Sequence, residues 1–521
     1  MSQRFGGRTM ARAAVLVTGS TYVAYAAGLL ASTLVARALG PADYGRYAYV
    51  LWLSGLLVMV MNNGLTTTVI RFVSELLGRG APVQARSLGR RLARWQAASV
   101  LLAGLGLMAV LPWLRPTGWS EDLALFAAIV LAAAVGKAAY LFGVSVAKGH
   151  GRFDLEAMSV TLLALANVLG VVGLALLGRG LVDMLLLFVL VSLAHPPLLW
   201  WLQRRRPGSA DEAAAPDAGA PVQAESESAL MARVRLHFGW TVALTLVAAL
   251  SNKAIETFLL NRHAGAETVA YFSIAVALTR GGVDLLSSGL NSILMPLMAH
   301  GYGQGGTQRA GRITADAVRL FHFLGLLLAG VGVLWAPPMV LLMYGQSYQP
   351  AVLALQVMVV VGGFTLSTGA FGALLSISDH QKARTAVVAL SIAVSGVVAL
   401  LLVPRWGLGG ALVSHLVSTL VVFGLTAAVV VRTMGVRLHL LRLVRLTLAA
   451  LLAGAAAALL LALDRGHGMH LLAGVLYAAL MVLLSVRLRA WHADDAALLE
   501  GLAARLPPVR HFSRFIVRWS A

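Results

Sequence analysis

The sequence predicts an all-α polytopic membrane protein of about 14 transmembrane helices, laid out as two six-helix lobes plus two additional C-terminal helices. Three observations carry this prediction. Long apolar stretches fill nearly the whole chain between Arg12 and Arg487; the short loops between them are alternately rich and poor in arginine; and the chain is 59% hydrophobic and only 12% charged, with a mean hydropathy of +0.82. A soluble domain carries about 25% charged residues. A spanning helix needs about 20 predominantly apolar residues, because hydrocarbon offers the backbone no hydrogen-bond partners.

The first apolar stretch, 13–38, is too long for a signal-peptide core and runs into Leu39-Gly40-Pro41 rather than a small-residue cleavage site. It reads as the first permanent span, 12–38. The others fall at 44–77, 91–112, 121–147, 155–177, 180–202, 236–261, 267–299, 317–343, 350–378, 383–403, 407–431, 439–463 and 468–487. Kinks are expected wherever a span exceeds about 25 residues.

Charge sets the orientation. Most of the 41 basic residues fall on one side, from Arg4, Arg8 and Arg12 through Arg79, Arg86, Arg90, Arg91 and Arg94 to Arg432, Arg437, Arg442 and Arg445. The other side keeps Arg37, Arg46, Arg115, Arg179, Arg262, Arg405 and Arg465. This positive-inside bias places both termini in the cytoplasm and accounts for the net charge of +20 without nucleic acid as a partner. There are no cysteines, so disulfides, thiolate metal sites and cysteine nucleophiles are excluded.

The domain layout follows. The N-lobe is 1–206 and the C-lobe 233–435. Between them lies a flexible cytoplasmic linker, 207–232, whose Ala-, Pro-, Ser- and Glu-rich sequence cannot bury enough surface to fold alone. The additional pair of spans occupies 436–490, and 491–521 reads as a basic amphipathic tail on the anionic membrane surface. The halves look repeated. Ala42-Asp43-Tyr44-Gly45-Arg46-Tyr47 opens the second span as Ala266-Glu267-Thr268-Val269-Ala270-Tyr271 opens the eighth, and Gly64-Leu65 matches Gly289-Leu290. Six spans per half make the repeats parallel, which suits a transporter with a central cavity.

The segment Leu39-Gly40-Pro41-Ala42-Asp43-Tyr44-Gly45-Arg46-Tyr47 resembles the junction of helices 1 and 2 in bacterial polysaccharide flippases, the Wzx-like branch of the multidrug/oligosaccharidyl-lipid/polysaccharide exporter superfamily. Gly407-Leu408-Gly409-Gly410-Ala411 is similar to that family's entry into helix 12. The resemblance covers essentially the whole membrane region. It implies flipping of undecaprenyl-diphosphate-linked glycan to the periplasmic leaflet of a bacterial inner membrane, with membrane lipids, a polysaccharide polymerase and assembly proteins as partners.

Such a cargo needs polar walls for sugars, cations for the diphosphate and an apolar path for the isoprenoid. Polar stripes at helical spacing mark the first two spans of each half: Thr18, Tyr22, Tyr25 and Ser32; Asn63, Thr67, Arg71 and Glu75; Thr241, Thr245, Asn252 and Glu256; Ser273, Arg280, Asp284, Ser287 and Asn291. Each such residue has a plain alternative as a helix-to-helix bond. Intramembrane charge is the sharper signal, since each such group costs at least about 2.5–3.5 kcal/mol unless paired or hydrated. Arg71 and Glu75, Lys253 and Glu256, and Arg280 and Asp284 can each meet on one helix face, whereas Lys137 has no local counter-ion. Substrate binding is therefore assigned to Arg71, Lys137, Lys253, Arg280, Asn63, Tyr25 and Asn291. Glu75, Glu256 and Asp284 are assigned to counter-charge or to coupling with H+ or Na+. No cofactor is expected. His322 and His415 read as packed, hydrogen-bonded histidines. The additional spans read either as a groove for the isoprenoid or as stabilising helices.

No large external loop, phosphate-binding Gly-rich loop, zinc spacing or nucleophile constellation is present, which argues against an enzyme. Two transporter alternatives stand beside the lipid-linked glycan: a multidrug or small-molecule antiporter of the same superfamily, and a peptidoglycan-precursor flippase.

Overall fold

The computed structural model describes residues 7–205, 226–251, 253–377, 381–436, 438–464 and 466–491. Among these the chain is helical, without strands, and all 14 expected spans have helical counterparts. Of the expected linker 207–232, residues 207–225 lie outside the described residues and 227–232 are helical, and of the expected tail 491–521, residues 492–521 lie outside them.

The first unit, Met1–Ala270, contains α1 (Gly7–Asn62), α2 (Leu65–Gly78), α3 (Pro82–Leu114), α4 (Leu123–Gly149), α5 (Asp154–Leu176), α6 (Leu181–Arg205), α7 (Glu227–Ser251) and α8 (Ala254–His263). Within α1, spans one and two are two helices that meet at a kink, as the sequence predicts. Gly40 adopts φ 73° and ψ 173°, and Pro41, which has no N–H to lose, restarts the helix. Span two is then broken at Asn63 (φ 30°) and Gly64 (φ 86°). α3 starts at Pro82, earlier than expected, because Ala85, Leu88 and Leu92 bury against α2. Likewise α7 starts at Glu227, since Leu230, Met231 and Val234 enter that same apolar cluster. A second cluster joins α4, α5 and α6 through Tyr140, Val144, Leu155, Leu199 and Leu202.

The second unit, Tyr271–Ala521, holds most of α9 (Ala266–Thr279), a π turn at Arg280–Asp284, α10 (Leu285–Tyr344), α11 (Pro350–Ile377), α12 (Gln381–Trp406), α13 (Leu408–Met434), α14 (Leu440–Leu463) and α15 (His467–Arg487). α10 carries the end of span eight and all of span nine, with Gly306 at φ 57° between them. Small residues let backbones touch, as is usual between membrane helices. Gly325 of α10 and Gly363 of α11 face each other, and Gly410 lies against the Leu402 carbonyl. The Gly407-to-Ala411 motif thus has a packing role at the α12–α13 turn.

The additional helices α14 and α15 dock on α10. His322 of α10 bonds Ser367 Oγ at 3.2 Å and Thr447 Oγ1 at 3.1 Å, as expected of a packed histidine. Tyr477 donates to the Leu326 carbonyl (2.9 Å), and Trp335 donates to the Leu471 carbonyl (3.1 Å). These bonds anchor the pair to α10.

Candidate functional site

The break in the second span gathers hydroxyls and amides around a buried stretch of backbone. The Gly64 carbonyl accepts bonds from the Thr67 and Thr68 hydroxyls at 2.8 and 2.9 Å. Thr241 of α7 sits so close that a methyl group on Gly64 would approach its Cβ to 2.6 Å. Asn63 Nδ2 donates to Ser99 Oγ (2.8 Å), and Gln96 Nε2 donates to Asn62 Oδ1 (3.0 Å). Asn62 and Gln96 are each only 6% exposed, yet Asn62 Nδ2, Asn63 Oδ1 and Gln96 Oε1 have no protein partner. Buried unanswered donors and acceptors are costly in an apolar surround, so this node suits a water or another small polar group.

One turn toward the arginine-rich end, the expected Arg71–Glu75 pair is replaced by partners from other turns and helices. Arg71, on an exposed face beside Thr67, bonds His237 Nδ1 of α7 at 2.9 Å and lies 5.2 Å from the Phe72 ring centre. Glu75 takes Arg79 at 2.5 Å and Arg233 of α7 at 2.7 Å. Farther out, Arg91 pairs with Glu227 at 2.5 Å. Among the described residues the result is a cluster with more cations than anions. His237, Arg233 and Glu227 do not belong to the polar stripe of span seven; only the apolar docking of α7 brings them to α2 and α3.

Lys137 pairs across helices. Its ammonium donates to His195 Nε2 of α6 at 3.0 Å, while His195 Nδ1 bonds the Val191 carbonyl at 2.6 Å. Tyr140 stacks edge-on to His195, with ring centres 4.7 Å apart, and shares a 2.7 Å bond with Ser159 of α5. Lys137 therefore sits in a polar seam inside its unit. His195 immediately precedes Pro196-Pro197, whose missing N–H groups leave carbonyls free in α6. That dipeptide is the signal that could have marked it.

Tyr25 and Lys253 are half-buried, and Glu256 is buried at 4% exposure; all three are engaged in polar interactions. Lys253 has φ 59° and separates α7 from α8, so span seven is a discontinuous helix. Arg280 is exposed and opens the π turn. The side chains of Asn252, Asp284 and Asn291 lie outside the described residues.

At the opposite end, the flippase-like motif meets the end of span seven. Arg46 pairs with Asp43 and donates to the Thr117 carbonyl at 3.1 Å. Thr117 N–H donates to Asn261 Oδ1 at 2.9 Å, its hydroxyl donates to the Asn261 carbonyl, and Asn261 Nδ2 returns a bond to the Arg115 carbonyl at 3.1 Å. Gly45 rests on the backbone of Ala266.

Solved structures share this fold at low identity. The lipid II flippase MurJ, in an inward closed conformation, superposes with a TM-score of 0.70 at 11% identity, covering 90% of this chain and 98% of that one. An inward-facing multidrug resistance MATE family transporter of the MOP superfamily gives 0.59 at 16% identity, covering 78% and 94%. The Vibrio cholerae MATE transporter VcmN gives 0.54 at 14% identity, covering 82% and 96%. No curated protein sequence matches. The chain thus shares the fold of these multi-pass membrane proteins, which are described as a flippase and as MATE transporters. The sequence model of a family described as polysaccharide biosynthesis protein matches residues 10–301, more than half of the chain, and the chain belongs to that family.

Proposed function

We propose that this transporter flips undecaprenyl-diphosphate-linked oligosaccharide from the cytoplasmic to the periplasmic leaflet of a bacterial inner membrane by alternating access, for cell-surface polysaccharide synthesis. The observation that carries this reading is Arg71. It is an exposed guanidinium at the arginine-rich end of an interrupted span, bonded to a histidine, with Arg79 and Arg233 gathered on the neighbouring Glu75. A planar fork in a cationic setting suits a diphosphate. Arg280, exposed within span eight, supplies a second cation, and Lys253 at the break of span seven a third. Lys137 adds positive potential from inside its unit. Tyr25, Asn63 and Asn291 offer hydroxyl and amide groups to sugars, and Glu75, Glu256 and Asp284 serve as counter-charges or as sites of H+ or Na+ coupling. A polymerase and assembly proteins then receive the flipped glycan.

A second reading, a peptidoglycan-precursor flippase, is favoured by the fold shared with the lipid II flippase MurJ, and it uses the same diphosphate chemistry. Reconstitution of the full chain in proteoliposomes tests both. Polyprenyl-diphosphate oligosaccharide should become accessible to an external glycosidase well above the protein-free rate. Selective movement of lipid II would favour the second reading, and uptake of cationic drugs without movement of either lipid would overturn both.

A further inference from the structure

An apolar groove of about 640 Å³ runs between the second limb of α1 and α3 and ends at Phe238 of α7. Along α3 it is lined by Trp95, Ala98, Ser99, Ala103, Gly106 and Val110, which recur at the spacing of one helical face. It continues to Leu114, so at 1.5 Å per residue the lined face is about 28 Å long, roughly the thickness of the hydrocarbon core. The small residues Ala98, Ala103 and Gly106 make the floor concave, and an added methyl on Gly106 would meet nothing within 4 Å.

What distinguishes this groove from ordinary lipid-facing surface is its arginine-rich mouth. Trp95 and Phe238 close it there, with ring centres 5.4 Å apart. Exposed Arg94 precedes Trp95 in sequence, and Arg91 lies one helical turn before it. His237, the partner of Arg71, precedes Phe238. Cations thus lie next to one end of a groove whose lining is apolar apart from Asn63 and Ser99. That pairing of surfaces is complementary to a lipid with a strongly anionic head and a single long chain.

We propose that this groove seats the polyprenyl chain of the lipid-linked cargo, with the diphosphate held at the Arg94, Arg91 and Arg71 collar. The assignment rests on the flippase reading and adds to it a lateral path on the α1–α3 face.

Photochemical labelling of the full chain tests the assignment. Two probes are compared in proteoliposomes: polyprenyl diphosphate and phosphatidylglycerol, each carrying a diazirine on its chain. The polyprenyl probe should label 98–110 of α3 at least five-fold above the phosphatidylglycerol probe, and Gly106→Leu should reduce that labelling about five-fold. Ala103→Leu serves as a second filling variant if Gly106→Leu fails to insert. Equal labelling by both probes, or labelling unchanged by either filled groove, would mean ordinary boundary lipid and overturn the proposal. Labelling is read without transport, so selective labelling in a protein that flips no glycan would sink the flippase reading alone. Transport without selective labelling would sink the groove alone.

Discussion

Gly45 lies directly against the backbone of Ala266, so closely that a β-carbon at Gly45 would overlap the Ala266 carbonyl. The two residues belong to the two similar segments that open spans two and eight. Their contact, with the Thr117–Asn261 bonds beside it, ties the α1 kink and the α3–α4 loop to the end of span seven. Such a latch fits a gate that must part during alternating access.

Locking this latch should therefore stop transport. The double variant Thr117→Cys with Asn261→Cys, in a chain that has no other cysteine, should cross-link under mild oxidant. Transport by the oxidised protein should fall at least ten-fold and recover with reductant. A cross-linked protein that transports at the parental rate would show that the latch stays closed throughout the cycle. Gly45→Val tests the same contact by overpacking, and it should cost about 1–3 kcal/mol of stability.

Arg280 provides the test of charge in span eight. Arg280→Glu, at equal membrane abundance, should abolish transport of a diphosphate-linked glycan, because an anion then faces an anionic head. Arg280→Lys should retain partial activity, since the charge survives while the two-pronged geometry is lost. Flipping measured in proteoliposomes decides the matter, and parental rates in Arg280→Glu would rule out contact between this cation and the substrate.

The Lys137–His195 bond should be energetically coupled. His195→Ala leaves a buried ammonium without its acceptor and should cost about 1–3 kcal/mol in detergent unfolding. Replacing both partners, Lys137→Met with His195→Ala, should cost less than the two single changes together, with a coupling of at least about 0.5 kcal/mol. Strict additivity would mean that the bond contributes nothing.

Topology reporters check the orientation inferred from arginine. Fusions after Gly178, Gly265 and Gly345 should report from the periplasm, and fusions after Gly80, Ala218 and Gly435 from the cytoplasm. A cytoplasmic signal at Gly265 would break the proposed register of the two halves.

The sequence by itself determined the membrane class, the fourteen spans and the family-like motif at 39–47, because apolar length and turn-forming Gly-Pro pairs are local properties that survive without knowledge of neighbours. It also singled out Arg71, Glu75 and Lys137, since an intramembrane charge is anomalous wherever it packs. Only tertiary structure decided their partners. Helical spacing offered Arg71 to Glu75, but docking of α7 through Leu230, Met231 and Val234 carried His237 to Arg71 and Arg233 to Glu75. Lys137 found His195 fifty-eight positions away, and Asn261 met Thr117 across 144. Periodicity reports which residues share a face. The identity of the group opposite that face is set by long-range apolar burial, to which no single stretch of chain holds the key.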